Sequence, residues 1–335
     1  MSRGAPESVL VYVGGDLVGD GLIKLPFVRA LRAAYPKARI TWLAGKSRTA
    51  YADALAPLVA GLIDEVIAAA GIGGHWRELL GRPLPDRGFD LVLDTQRRLL
   101  TTLIVRRIRH RVFVSGAAGF VFSDRRPAPP HRKPAAMIRQ MLDLIEVATG
   151  RPAPVGRPLA LDPGLRAEAR RLLPDGTGDY VGLAPGAGGR HKRWPLAGFL
   201  ELAAHQVSRG RRPVFVLGPD EADMVSGVRQ AAPEAALPLQ AAAAAGLTVT
   251  PMLTIALAER LAAAVANDAG VGHMLAAADC PMVSLFGPTS PEKFAPLTSR
   301  LAVLTAQSYG GSEMTTIPKA AVADALEGLL TRPPV

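Results

Sequence analysis

Two glycine-rich segments carry the residue types from which an anion site is built. Pro185 to Pro195 (PGAGGRHKRWP) and Asn267 to His273 (NDAGVGH) each follow a short apolar run and precede a helical pattern. A strand-to-helix turn of this kind aims backbone amides and the positive end of a helix at one spot, which favours phosphate. Lys192 and Arg193 fall just before the helix that opens at Trp194-Pro195. Cations there are favourable when an anion is shared among them, and a diphosphate is the anion expected. Gly186 and Gly189 bound the flexible loop beside these cations, with Ala187 between them. In the second segment Asp268 closes the strand, Gly270 and Gly272 open the backbone to a ligand, and His273 lies in the first helical turn. As a neutral imidazole His273 donates to phosphate; the other reading is a core histidine. His191 is read as a solvated side chain.

A proton acceptor is expected from the other half of the chain. Gly19-Asp20 closes the turn after the first apolar run, before the helix that contains Leu25-Pro26. At the carboxyl edge of a parallel sheet a carboxylate is placed to take a proton from a ligand. The alternative is a helix cap, which Asp also serves well. Asp16 is a rival carboxylate four residues earlier.

These turns need a doubly wound scaffold, and the apolar pattern supplies it. Val9 to Val13, Arg39 to Leu43, Val66 to Ala69, Leu91 to Leu93 and Val112 to Val114 read as strands, with helices expected over Leu22 to Leu31, Thr49 to Leu58, Leu99 to Ile108 and Met137 to Thr149. Arg151 to Pro163 has four prolines, one glycine and no periodicity, and is the expected linker. Beyond it, strands at Tyr180 to Leu183, Val214 to Leu217, Ala264 to Ala266 and Met282 to Phe286 alternate with helices at Leu165 to Leu173, Leu196 to Ser208, Asp220 to Gln230, Leu253 to Ala263 and Gly272 to Ala278. Alternation of this kind predicts an α/β fold of two doubly wound halves, with ligands in the cleft they face.

Composition narrows the function. At 335 residues, with 49% apolar and 5% aromatic residues, the chain has ample material for two cores. Its single Cys280 and the lack of a basic, apolar and cleavage-site leader fit a reducing cytoplasm. The longest uncharged stretch, Gln240 to Ala258, is broken by Gly246 and Pro251 and is not a membrane span. The net charge of +10 is concentrated between Thr95 and Gln140, where eleven basic residues, among them Arg97, Arg98, Arg125 and Arg126, face one acid, Asp124. That stretch is either a solvated helix face or the attractor of an acidic surface or phosphorylated acceptor. Nucleic acid ranks below both, because Phe113, Phe120 and Phe122 read as strand residues, not as a stacking platform. No G-x-G-x-x-G, P-loop, metal-ligand cluster or aspartate-x-aspartate motif occurs, so no cofactor and no metal are expected.

Taken in order, these pieces resemble the lipopolysaccharide heptosyltransferase family, the inverting glycosyltransferases of family 9 with the GT-B fold. Val9 to Ala38 is similar to the family's opening strand and Gly-Asp turn, Pro185 to Pro195 to its PGA and K-x-W-P elements, Leu217 to Glu221 (LGPDE) to its glycine-to-glutamate element, and Asn267 to Pro291 to its D-[ST]-G-x-x-H followed by FGPT-x-P. The resemblance implies transfer of heptose from a nucleotide diphosphate, typically ADP-heptose, to a hydroxyl of an anionic, lipid-linked inner-core saccharide, at the inner membrane surface. It matches Asp20 to the base and Lys192 to the neutraliser of the leaving diphosphate. It matches Glu221 to a nucleoside contact, Asp268 to the sugar hydroxyls, and Gly270 and His273 to the diphosphate. Ala269 replaces the usual Ser or Thr, and Lys24 stands where the family commonly has an uncharged residue. The implied organisation is an acceptor domain over 1–155, a donor domain over 156–315 that includes Gly186, Ala187 and Arg193, and a last helix in 316–335 returning to the first domain. A GT-B sugar-nucleotide epimerase and a non-catalytic nucleotide- or nucleic-acid-binding protein are the competing readings.

Overall fold

The computed structural model describes residues 4–153, 159, 161–176 and 178–331. It divides into two compact units, within residues 1–157 and within residues 158–335. Residues 154–158 and 160 of the expected linker, and with them the expected boundary at 155, lie outside the described residues.

The first unit runs β1 (Ser8–Val13), α1 (Val18–Ala34), β2 (Arg39–Ala44), α2 (Ala56–Val59), β3 (Glu65–Ile67), β4 (Gly88–Asp94), α3 (Leu99–Val105), β5 (Arg109–Ser115) and α4 (Met137–Thr149). Its strands are all parallel in the order β3-β2-β1-β4-β5. Neighbours in sequence diverge from β1 and β4, so the order reverses between them. Both faces are covered, which is why β1 reads as an unbroken apolar run. Leu10 and Tyr12 join Leu43, Val92, Ile104 and Phe113 in one buried cluster, and on the sheet Val9, Val11 and Val13 alternate with them, equally buried. The helix expected over 49–58 is broken into a 3-10 turn at Ala50–Ala52 and the short α2. The Thr49 hydroxyl accepts the Tyr51 amide, and Pro57 at the start of α2 has no amide to continue an earlier helix.

The second unit runs α5 (Pro163–Leu172), β6 (Tyr180–Ala184), α6 (Leu196–Ser208), β7 (Arg212–Phe215), α7 (Val225–Ala231), α8 (Pro238–Ala244), α9 (Pro251–Ala258), β8 (Leu261–Asn267), α10 (Gly270–Ala277), β9 (Met282–Phe286), α11 (Pro291–Phe294), β10 (Leu301–Thr305) and α12 (Lys319–Thr331). Its parallel sheet has the order β10-β9-β8-β6-β7 and reverses between β8 and β6. The helix expected to continue through Ala263 ends at Ala258 instead, because Val181 and Gly182 of β6 take Ala263 and Ala264 as ladder partners. An alanine run carries no period to reveal that.

α12 packs on β8, β9 and β10 of the second sheet, and its buried Val322 and Leu326 belong to the same core as Val265, Val283 and Leu285. The Trp194 indole N–H donates to the Ile317 carbonyl at 3.0 Å just before the helix starts. Its apolar face is consumed by its own unit.

At the carboxyl end of β4, Asp94 is wholly buried. It accepts from Thr102 Oγ1 at 2.6 Å, Ser115 Oγ at 2.9 Å and the Gln96 amide at 2.9 Å. Burial outweighs these bonds and pushes its pKa up to about 6. A carboxyl whose folded pKa is raised costs stability as pH rises, because the unfolded chain ionises first, near pH 4, and the folded one near pH 6. Stability is therefore expected to fall between about pH 4 and pH 6 and then level off. Asp94→Asn, which cannot ionise, is expected to abolish that fall, read by denaturant titrations at pH 4.5 and 7.5.

Candidate active site

The second unit brings the two glycine-rich segments together. Pro185 to Pro195 leaves the carboxyl end of β6 and Asn267 to His273 leaves that of β8, and these strands are neighbours, with Ala184 opposite Ala266. The turns therefore meet where the strand order reverses, the place at which open α/β sheets bind ligands. Asn267, fully buried, joins them: its Oδ1 accepts the Trp194 amide at 3.1 Å and its Nδ2 donates to the Pro185 carbonyl at 2.8 Å.

The candidate side chains surround this junction. Lys192 Nζ lies 3.1 Å from Asp268 Oδ2, and the Thr289 hydroxyl donates to the same oxygen at 2.6 Å. Asp268 thus holds the lysine at the carboxyl end of β8. Ala269 is the N-cap of α10, in extended backbone and with no side-chain cap, so the first-turn amides that begin at Gly270 carry no side-chain acceptor there. Gly270 and Gly272 have no left-handed backbone, and a Cβ at Gly272 would meet ordinary contacts of 3.5 Å and beyond. The openness expected of these glycines is not a steric need at Gly272. His273 is buried in that first turn, while His191 is exposed.

Gly186 leaves room for an acid. A Cβ there would lie 2.3 Å from Glu221 Oε1, so the bare backbone lets that carboxylate rest on the loop. Glu221 in turn accepts the Gly218 amide at 3.0 Å. Burial, ahead of the Gly218 bond and the Arg193 charge, pushes its pKa up. Arg193 closes the loop by donating from Nε to the Ala187 carbonyl at 3.2 Å. Asn267 and Thr289 were not singled out from sequence. Both lie inside flagged segments, and the available signal was a polar residue ending a buried strand and a hydroxyl in the Gly287-Pro288 turn.

In the first unit the two rival carboxylates separate. Asp16 is buried and ion-paired with Lys24 of α1, and its Oδ2 accepts from Thr49 Oγ1 at 2.8 Å and Trp42 Nε1 at 3.2 Å. With every oxygen engaged it is structural, and the uncommon Lys24 is its counter-ion. Asp20 is not the helix cap. Leu17 occupies the N-cap of α1 and Asp20 stands in the first turn, half-buried and, among the described residues, with no hydrogen bond or ion pair. The tight β1–α1 turn that presents it depends on Gly15, where a Cβ would fall 1.8 Å from Ser47 Oγ.

The basic stretch is less open than its charge suggests. Arg106 pairs with Asp124, Arg111 with Asp90, and Arg139 with Asp143 and Glu146. Arg107 donates to the Gly81 carbonyl at 2.6 Å. Arg125 donates to the Ala148 carbonyl at the end of α4 and lines a recess with Tyr35, Asp90 and Arg111 at the amino edge of the sheet, away from Asp20. That placement removes it from the acceptor candidates, since helix C-termini lie at the amino edge of a parallel sheet. Arg126 is exposed and donates to the Val121 carbonyl at 3.3 Å, and Arg98 is exposed at the start of α3. Arg97 leaves the carboxyl end of β4 and donates from Nη1 to the Gly116 carbonyl at 2.9 Å. No helix among the described residues is long and apolar enough to cross a membrane.

Two doubly wound parallel units, each presenting glycine turns at its strand-order reversal, define a protein of the GT-B fold. The model of glycosyltransferase family 9 (heptosyltransferase) matches residues 77–319, and the chain belongs to that family. It is 30% identical over 301 residues to lipopolysaccharide heptosyltransferase 1 of Pseudomonas aeruginosa, spanning 84% of this chain and 79% of that one. Among solved structures it is similar to a family 9 glycosyltransferase of Veillonella parvula, with a TM-score of 0.72 at 19% identity over 97% of both chains. It is also similar to an Escherichia coli heptosyltransferase with ADP-2-deoxy-2-fluoro heptose, with a TM-score of 0.65 at 19% identity over 96% of this chain and 99% of that one. At those identities the solved structures speak for the fold.

Proposed function

We propose that the protein transfers heptose from ADP-heptose to a hydroxyl of a lipopolysaccharide inner-core saccharide, with inversion at the anomeric carbon. The observation that carries the donor half is the Lys192–Asp268–Thr289 cluster beside the uncapped start of α10, at the strand-order reversal of the second sheet. A cation and the first amides of a helix at one spot suit a diphosphate whose negative charge grows as it departs. Glu221, held against Gly186, is the nucleoside-contacting acid, Gly186, Ala187 and Arg193 shape the loop around the donor, and Asp268 turns to the sugar. The Pseudomonas relative, a lipopolysaccharide heptosyltransferase, and the ADP-2-deoxy-2-fluoro heptose of the Escherichia coli structure support heptose and ADP as the two parts of the donor.

Asp20 of the first unit is the base. The acceptor oxygen forms its bond to the anomeric carbon on the face opposite the diphosphate, its proton passes to the Asp20 carboxylate, and the bond to the diphosphate oxygen breaks with its electron pair leaving on ADP. Lys192 and the α10 amides meet that charge. Exposed Arg98 and Arg126 steer the anionic acceptor from the lipid surface at which it is held. Incubation with ADP-heptose and an inner-core acceptor is expected to give one glycosidic product, its anomeric configuration by NMR opposite to the donor's. A product that retains the donor's configuration, or an epimerised donor formed without acceptor, would overturn the proposal.

A further inference from the structure

The carboxyl edge of the first sheet holds a recess of about 90 Å³, lined by Lys24, Asp94, Gln96, Arg97, Gly116 and Gln140 among others. It sits where strand order reverses between β1 and β4, beside the turn that carries Asp20. Lys24 is one helical turn beyond Asp20 on α1, and Gln96 rests on the β1–α1 turn, its Oε1 3.3 Å from where a Cβ of Gly14 would stand.

The hydrogen bonding in this recess is incomplete. Lys24 is neutralised by Asp16. The Asp94 oxygens are bonded to Thr102, Ser115 and the Gln96 amide. The guanidinium of Arg97 lies flat against Gly116, where a Cβ would be 2.8 Å from Nη2. Its Nη1 has a carbonyl, but Nη2 is buried with no hydrogen-bond partner among the described residues. Asp143 of α4 acts on Arg97 only through space, because its oxygens are 3.1 Å from His131 and from Arg139. A buried guanidinium N–H with no acceptor is costly, and its planar fork suits the paired oxygens of a carboxylate or phosphate. Gln96 and Met137, both lining the recess, are the side chains that can move aside to admit one.

We infer that this recess is an oxyanion subsite for the acceptor, in which Arg97 binds a carboxylate or phosphate of the anionic saccharide and so sets its hydroxyl beside Asp20. The inference rests on the transferase reading above and adds the acceptor group that is recognised. Gln140 fixes the entry to α4 by donating to the Pro134 carbonyl at 2.7 Å. An anion meeting the Arg97 fork would therefore link β4, β5 and α4 around the base.

Two measurements decide it. In steady-state transfer, Arg97→Gln is expected to raise the acceptor KM roughly ten- to a hundredfold, with donor KM unchanged and kcat within about twofold, and Arg97→Lys to restore part of the loss. In thermal melts with ADP saturating, inorganic phosphate is expected to stabilise the wild type and the lysine variant more than the glutamine variant. Any phosphate bound by the second unit is common to all three. If phosphate protection and acceptor KM are both indifferent to Arg97→Gln, the subsite does not exist. If phosphate protection is lost but acceptor KM is not, the recess takes a free oxyanion and the acceptor assignment fails. If the wild type transfers no heptose, the transferase reading fails while the melts still report on the recess. Should Arg97→Gln not fold, the lysine variant bears the argument: an intermediate acceptor KM supports it, and a wild-type value overturns it.

Discussion

Asp20→Asn is expected to lower kcat for heptose transfer by about 10²–10⁴-fold while ADP binding stays at the wild-type level. The substitution keeps size and hydrogen-bonding shape and removes only the ability to take a proton. Because the Asp20 carboxylate has no partner among the described residues, no buried network collapses when its charge is lost. The folding cost is confined to a carboxylate in the first turn of α1, roughly 0.3–1 kcal/mol. Asp16 makes the contrasting control. Its charge is buried against Lys24, and Asp16→Asn leaves that lysine without a counter-ion, so its damage falls on stability first. Single-turnover transfer together with ADP titration separates the two cases. Full transfer by Asp20→Asn would remove it as the base.

Lys192→Met is expected to cost about 10²–10³-fold in kcat and to weaken ADP binding as well. The ammonium is aimed at the start of α10 by Asp268, which is itself fixed by Thr289. Its role is to meet charge that develops as the diphosphate departs, so the loss falls more heavily on kcat than on donor affinity. Lys192→Arg keeps the charge but not the compact geometry, and an intermediate rate is expected. A variant with unaltered kcat and only a raised donor KM would show that Lys192 binds the ground state and does nothing for departure. Thr289→Val, which frees Asp268 from one of its two partners, offers a graded second reading of the same cluster.

Much of this arrangement is legible in residue order. The glycine-to-helix turns at Pro185–Pro195 and Asn267–His273 are local devices: a strand ends, a flexible loop follows, and a helix starts. Short-range steric and dipolar rules specify them without knowledge of neighbours. The same holds for Met137–Thr149, ended by Gly150 in left-handed backbone, and for Met282–Phe286. The strands were equally readable wherever apolar side chains faced both layers. Reading failed where the pattern had no period, as in the alanines of 256–266, and where a fate depended on distant partners. Thus Leu301–Thr305, only half-buried at the sheet edge, gave no strand signal.

What the sequence alone determined is the inventory: two parallel α/β units, two phosphate-type turns on the second and a Gly-Asp turn on the first. Tertiary structure decided which of two nearby carboxylates is free. Asp16 and Asp20 are equivalent in composition and position, and only packing of Lys24, Trp42 and Thr49 around Asp16 separates them. It also decided that Arg125 faces the amino edge, that Arg97 is left with a bare N–H at the carboxyl edge, and that α12 stays with the second sheet. The physical reason is one of range. Turns and helix starts follow from forces between residues a few positions apart, whereas charge compensation and burial depend on which distant residues the fold brings within hydrogen-bond reach.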